Sequence, residues 1–201
     1  MRTIGAVIFE GFEMLDYFGP LQMFKNFPED FRILAVSETM APVRCSGGPE
    51  VVPDRCFADG AEYDLLLVPG GMGTRKEAGN TAMLSWLRQA AGHAGIVMSV
   101  CTGSALLARA GVLDGLPATS NKRAFDWVRS QSDKVDWQER ARWVEAGKVF
   151  TSSGVSAGLD MSLAVLARLL GREAAGNAAL WAEYLPNLDP DNDPFSLSGE
   201  T

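Results

Sequence analysis

The sequence predicts an α/β fold, a mostly parallel sheet with helices on both faces. Three observations carry this prediction. Short apolar runs such as Thr3–Phe9, Tyr63–Val68 and Ile96–Val100 read as strands buried on both faces. Segments with apolar residues at helical spacing lie between them. Gly- or Pro-rich turns punctuate the pattern. Strands alternating with helices form parallel sheets, and the ligand site of such a sheet lies beyond the carboxyl ends of its strands.

Thr3–Phe9 is rich in β-branched residues and bounded by Glu10-Gly11, so it opens the sheet. Glu13–Phe27 carries Met14, Phe18, Leu21 and Phe24 at helical spacing, and Gly19-Pro20 should kink or restart that helix. Phe31–Ser37 is a second strand. Val43–Cys45 and Val51–Val52 read as a hairpin around Ser46-Gly47-Gly48-Pro49. Tyr63–Val68 ends in Pro69-Gly70-Gly71, Thr81–Ala91 is a helix, and Ile96–Val100 is a strand. Thr102–Ala110 is a helix closed by Gly111. Asn121 can cap a helix running through Arg129. Arg142–Val144 and Lys148–Thr151 form a second hairpin. Val155–Leu170 and Glu173–Leu185 are the last helices, with Gly171 between them. The chain therefore reads as one domain over residues 1–185 and an irregular, acidic, proline-containing tail over 186–201.

Charge and cysteine content narrow the function classes. Lys plus Arg number 18 against 25 Asp plus Glu, a net charge of −7 that repels phosphate backbones, so nucleic acid is not an expected partner. Glu10 interrupts the N-terminal apolar stretch, which is too short for a membrane span and lacks the form of a signal peptide. Cys45, Cys56 and Cys101 contain no CxxC pair, which points to a reduced, cytoplasmic compartment without a disulfide framework or zinc knuckle.

The chemistry is expected at Ser99-Val100-Cys101-Thr102-Gly103, where a buried strand meets a helix directly. This is the layout of a nucleophile elbow, with Ser99 in place of the first glycine. A cysteine there sits at a helix N-terminus, whose free N–H groups favour thiolate and an anion forming on a substrate. The plainer reading is a core cysteine, since free Cys is often buried. Pro69-Gly70-Gly71-Met72-Gly73 ends the neighbouring strand, and its amides, with that of Thr102, could complete an anion hole; read alone, it is a flexible turn. The sole histidine, His93, precedes the strand that Cys101 follows, so the two ends lie roughly 15–20 Å apart. A Cys-His dyad is therefore disfavoured, and a carboxylate must move the proton. Asp16 sits among Met14, Leu15, Tyr17 and Phe18, which would desolvate it and raise its pKa. A solvated helix-start aspartate is the other reading, and Glu13 is the competing acid.

Leu15-Asp16-x-x-Gly19-Pro20, Pro69-Gly70-Gly71, Ser99-Val100-Cys101-Thr102-Gly103 and Ser153-Gly154-x-x-Ala157-Gly158-x-Asp160 together resemble the ThiJ/PfpI family of the glutamine-amidotransferase-like superfamily, and within it the isocyanide (isonitrile) hydratases. The resemblance runs from Ile4 to about Tyr184. It implies a flavodoxin-like three-layer sandwich, a homodimer, a reactive Cys101 paired with Asp16, and no metal or organic cofactor. It also implies attack of Cys101 on the carbon of a small electrophile, an isocyanide, with Asp16 as general acid and base and an N-substituted formamide as product. Gly70, Gly71, Met72 and Thr102 would hold the substrate, and Tyr17, Phe18, Asn121, Ser153, Gly154 and Trp181 would line the pocket or pack the core. Many family members carry histidine where this chain has Asn121, which disfavours Cys-His protease, amidase and deglycase chemistry. Lys122 and Arg123 read as solvated helix-start residues or as the pocket mouth. A cysteine redox sensor, or a ligand-binding regulator without its DNA-binding module, are the alternative functions.

Overall fold

The computed structural model describes residues 1–196. Its strands are β1 (Arg2–Val7), β2 (Phe31–Ser37), β3 (Val43–Arg44), β4 (Glu50–Val51), β5 (Arg55–Cys56), β6 (Leu65–Val68), β7 (Ile96–Val100), β8 (Pro117–Ala118), β9 (Asp136–Trp137), β10 (Trp143–Ala146) and β11 (Val149–Ser152). Its helices are α1 (Met14–Phe24), α2 (Thr74–Glu77), α3 (Thr81–His93), α4 (Gly103–Arg109), α5 (Phe125–Arg129), α6 (Ala157–Leu170) and α7 (Arg172–Trp181), with short 3₁₀ turns at Phe57–Asp59 and Lys122–Ala124.

The central sheet runs β10-β11-β7-β6-β1-β2-β5, and every neighbouring pair is parallel except β10 on β11. This is the mostly parallel, helix-covered sheet that the apolar runs predict. Register is set by buried side chains: Ile4 of β1 pairs with Ile33 on one side and Leu65 on the other. Leu66, Leu67 and Val68 of β6 expose no surface, and burying each contributes about 1.5–3 kcal/mol. Helices α1, α6 and α7 pack against one another, while α4 gathers α2, α3 and α5 into a second group. Asn80 caps α3 by accepting from the N–H groups of Ala82 and Met83.

Three differences from the sequence reading have physical causes. Gly19-Pro20 does not break α1, which runs unbroken from Met14 to Phe24. Tertiary packing overrides the local cost: a Cβ on Gly19 would lie 3.3 Å from Leu159, and one on Gly158 would lie 3.5 Å from Pro20. Helix α7 stops at Trp181, because the chain turns at Glu183 (φ 48) and Tyr184 N donates back to the Ala179 carbonyl. The elements β5, α2, β8 and β9 were not expected, since two to four residues show no periodicity. Residues 186–196 hold no helix or strand, and residues 197–201 of the expected tail lie outside the described residues. Among the described residues no helix is long and apolar enough to cross a membrane.

Candidate active site

The carboxyl ends of β6, β7 and β11 and the start of α1 converge at one edge of the sheet. Cys101, directly after β7, has φ 56, a left-handed conformation that costs a residue with a side chain about 1–2 kcal/mol. The surroundings hold it there. Its N–H donates to the Ser152 carbonyl (3.1 Å), and its carbonyl accepts from Ser120 Oγ (2.8 Å) and Ser104 Oγ (3.1 Å). Gly103 permits the tight corner, since a Cβ there would collide with the Val68 and Pro69 carbonyls. Cys101 is 7% exposed.

Asp16, in the first turn of α1, exposes no surface. Gly70 N–H donates to its Oδ2 (3.0 Å), whereas Oδ1 is buried without a well-aligned hydrogen-bond partner. The side chain it couples to is the Cys101 thiol. Burial pushes Asp16 from 3.8 up to about 8, against the pull of the Gly70 amide; the charge of Glu13 adds to the rise, and the thiol offsets part of it. Gly70 must be glycine, because a Cβ would stand 2.6 Å from Thr102 N and 2.8 Å from Asp16 Oδ2.

At Cys101 the helix N-terminus expected to favour a thiolate is opposed by other influences. Burial first, and then the charge of Asp16, push the Cys101 thiol upward, although the Thr102 amide and hydroxyl draw it down. Helix α4 has seven residues, and its end charge does not outweigh the loss of water.

In the Gly70-Gly71 turn, where an anion hole is expected, two of the amides are engaged within the protein. Gly70 N–H holds Asp16, and Gly71 N–H donates to Thr102 Oγ1 (3.0 Å). Thr74, which the sequence reading missed, lies buried beside them, its Oγ1 2.7 Å from the Gly71 carbonyl and 3.1 Å from Thr102 Oγ1. It sits in a four-residue helix that left no signal in the sequence. The Gly70 and Gly71 amides thereby position Asp16 and Thr102.

A cavity of about 570 Å³ is lined by Leu15, Asn121–Arg123, Glu139, Ser153–Ser156 and the tail residues Phe195 and Ser196; Asp16 and Cys101 themselves do not line it. Gly154 joins cavity and cysteine: a Cβ there would be 3.1 Å from Cys101 Sγ and would collide with the Asn121 amide. Asn121 is held by accepting from Ala124 N (3.1 Å). Tyr17 packs in the core against Phe12 and Phe18, with ring centroids 5.3 and 4.9 Å apart. Phe18 (44% exposed), Met72 (68%) and Trp181 (57%) do not line the cavity. Their apolar character had pointed to it, but their helix and loop positions face them elsewhere. Lys122 is half-buried at the cavity, not solvated: Nζ donates to Thr119 Oγ1 (2.9 Å) and the Ala141 carbonyl (2.6 Å), and burial lowers it to about 8. His93 ends α3, at the opposite end of β7 from Cys101.

Residues 2–168 match the model of the DJ-1/PfpI family. The chain belongs to the DJ-1/PfpI family. Among DJ-1/PfpI relatives, isonitrile hydratase of Pseudomonas putida is 31% identical over 98% of this chain and 87% of its own length. The HTH-type transcriptional regulator GbdR of Pseudomonas aeruginosa is 28% identical over 86% of this chain, which spans 48% of that regulator. A ThiJ/PfpI family protein from Pseudomonas syringae superposes with a TM-score of 0.84 at 30% identity, covering 99% of this chain and 79% of that one. Drosophila melanogaster DJ-1beta superposes at 0.80 with 19% identity over 92% of this chain and 98% of that one, and shares the fold.

Proposed function

We propose that this DJ-1/PfpI protein hydrates a small electrophile, an isocyanide R–N≡C, to the N-substituted formamide. The observation that carries the reading is the buried Asp16 carboxyl, protonated up to about pH 8 and coupled to the Cys101 thiol with no histidine beside it. Such a pair suits addition of S–H across one carbon. The similarity to isonitrile hydratase supports the substrate class.

Cys101 Sγ bonds to the isocyanide carbon while Asp16 delivers its proton to that carbon, and the thiol proton passes to the carboxylate. A thioimidate R–N=CH–S–Cys101 results. Asp16 then protonates the nitrogen and takes a proton from the water that attacks the carbon. Collapse of R–NH–CH(OH)–S–Cys101 breaks the C–S bond, releases R–NH–CHO and returns the hydroxyl proton through Asp16 to the thiol. Every proton moves through one carboxyl, which is why its raised pKa matters. An oxidation sensor would instead need a thiolate at rest, and the environment of Cys101 opposes that.

The test is formamide release from an aryl isocyanide, followed by chromatography. Asp16→Asn is expected to lower kcat by roughly 10²–10⁴-fold, and Cys101→Ala to remove turnover. Either variant working at the wild-type rate overturns the proposal.

A further inference from the structure

The segment after α7 is fastened to the domain by an ionic seat around Arg142. Arg142, 4% exposed, places Nε and Nη2 each 2.6 Å from Asp160 Oδ2. The other oxygen of Asp160 accepts from Tyr184 Oη (2.8 Å) and Asn187 N (3.0 Å). Arg142 Nη1 faces Asp193 Oδ1 at 3.7 Å, and Asp193 exposes no surface. The main chain is fastened too: Arg142 N donates to the Pro190 carbonyl (2.7 Å) and Asp193 N to the Arg140 carbonyl (2.8 Å).

Asp193 in turn fixes the next three residues of the tail. Its Oδ1 accepts from Phe195 N (2.9 Å), and its carbonyl accepts from Ser196 Oγ (2.7 Å). The turn so formed sets Phe195 and Ser196 into the lining of the cavity beside Cys101, where Leu15 and Val155 supply further apolar surface. We infer that the tail is a wall of the substrate site, that Phe195 limits the size of the apolar substituent the site admits, and that Asp193 and Arg142 are its positioning residues. The inference rests on the proposed chemistry only for the identity of the substrate; the wall stands on the contacts above. Removing the ring enlarges the space available to a bulky group and takes contact from a small one. Both effects shift preference in the same direction.

The experiment compares wild type, Phe195→Ala and Asp193→Ala with two probe pairs. The first is kcat/KM for cyclohexyl against methyl isocyanide. The second is the rate of Cys101 labelling by N-cyclohexylmaleimide against N-methylmaleimide, located by peptide mass. In both variants the bulky-to-small ratio should rise roughly tenfold, and Asp193→Asn, which keeps an acceptor for Phe195 N, should restore part of the wild-type ratio. Urea unfolding of Phe195→Ala and Asp193→Ala checks that each variant keeps the fold, and the ratios are compared only for folded protein. If wild type turns over neither isocyanide, the hydratase reading falls and the labelling ratio alone decides the wall. Ratios within twofold of wild type in both variants overturn it. Labelling is run at about pH 9 with a large excess of maleimide and long incubation, because a thiol pushed upward by burial reacts slowly. Its absence in every protein under those conditions also overturns the wall, which requires a cavity that leads to the sulfur.

Discussion

Asp16 and Asp160 are both buried aspartates in the first turn of a helix, and the fold treats them in opposite ways. Asp160 has both oxygens engaged, by two nitrogens of Arg142, the Tyr184 hydroxyl and the Asn187 amide. Asp16 receives one amide hydrogen bond and faces a thiol that burial keeps protonated. Depth alone therefore does not distinguish a structural carboxylate from a reactive one. The distinction is whether the charged form is satisfied.

The largest expected effect lies on the structural side. Asp160→Asn leaves the buried Arg142 charge with Asp193 at 3.7 Å as its ion-pair partner and a long hydrogen bond to Ser156 Oγ (3.5 Å), and should cost about 3–5 kcal/mol in urea unfolding. A loss under about 1 kcal/mol would mean that the two aspartates do not differ as described. Next, Asp16→Asn should have the opposite sign. The folded protein holds a proton on Asp16 that the unfolded chain has released at pH 7, so removing the carboxyl should stabilise by roughly 2–4 kcal/mol while activity is lost. A destabilised variant would place Asp16 with Asp160.

The smallest effect, per pH unit, sharpens the second. Because the folded pKa of about 8 lies above the ordinary 3.8, the contribution of Asp16 to stability falls as pH rises between those values. The gap between wild type and Asp16→Asn should close below about pH 4 and widen by about 1 kcal/mol per unit above it. Turnover should decline as pH passes about 8, where the acid is lost. Urea midpoints and kcat measured from pH 4 to 9 check both, and a flat gap contradicts the raised pKa.

Much of this arrangement was legible because it is written locally. Strand β7 coincides with its apolar run, and the corner at Cys101 follows from small residues on either side. Asp16 is buried as expected, but of the apolar neighbours that suggested it Met14, Leu15 and Phe18 are exposed, and the Gly70 turn and Cys101 lie against it instead. The upward push on the Cys101 thiol was not legible. It depends on desolvation by distant parts of the chain, which outweighs the local helix end. The engaged amides were hidden for the same reason, since Gly70 and Asp16 are 54 positions apart. The proline- and aspartate-rich tail resembled an irregular end; only the arginine that holds Asp193 makes it part of the cavity.

One hydrogen atom in place of a methyl group at residue 154 lets two neighbours close up. The space a methyl would fill there already belongs to the Asn121 amide and the Cys101 sulfur. A sister sequence with alanine at this position would have to push the amide or the sulfur aside, and a shift of the sulfur reaches the corner that carries it. Glycine at this one position thus offers a way to sort chains that retain the scaffold into those that can hold the sulfur and the amide as here and those that cannot.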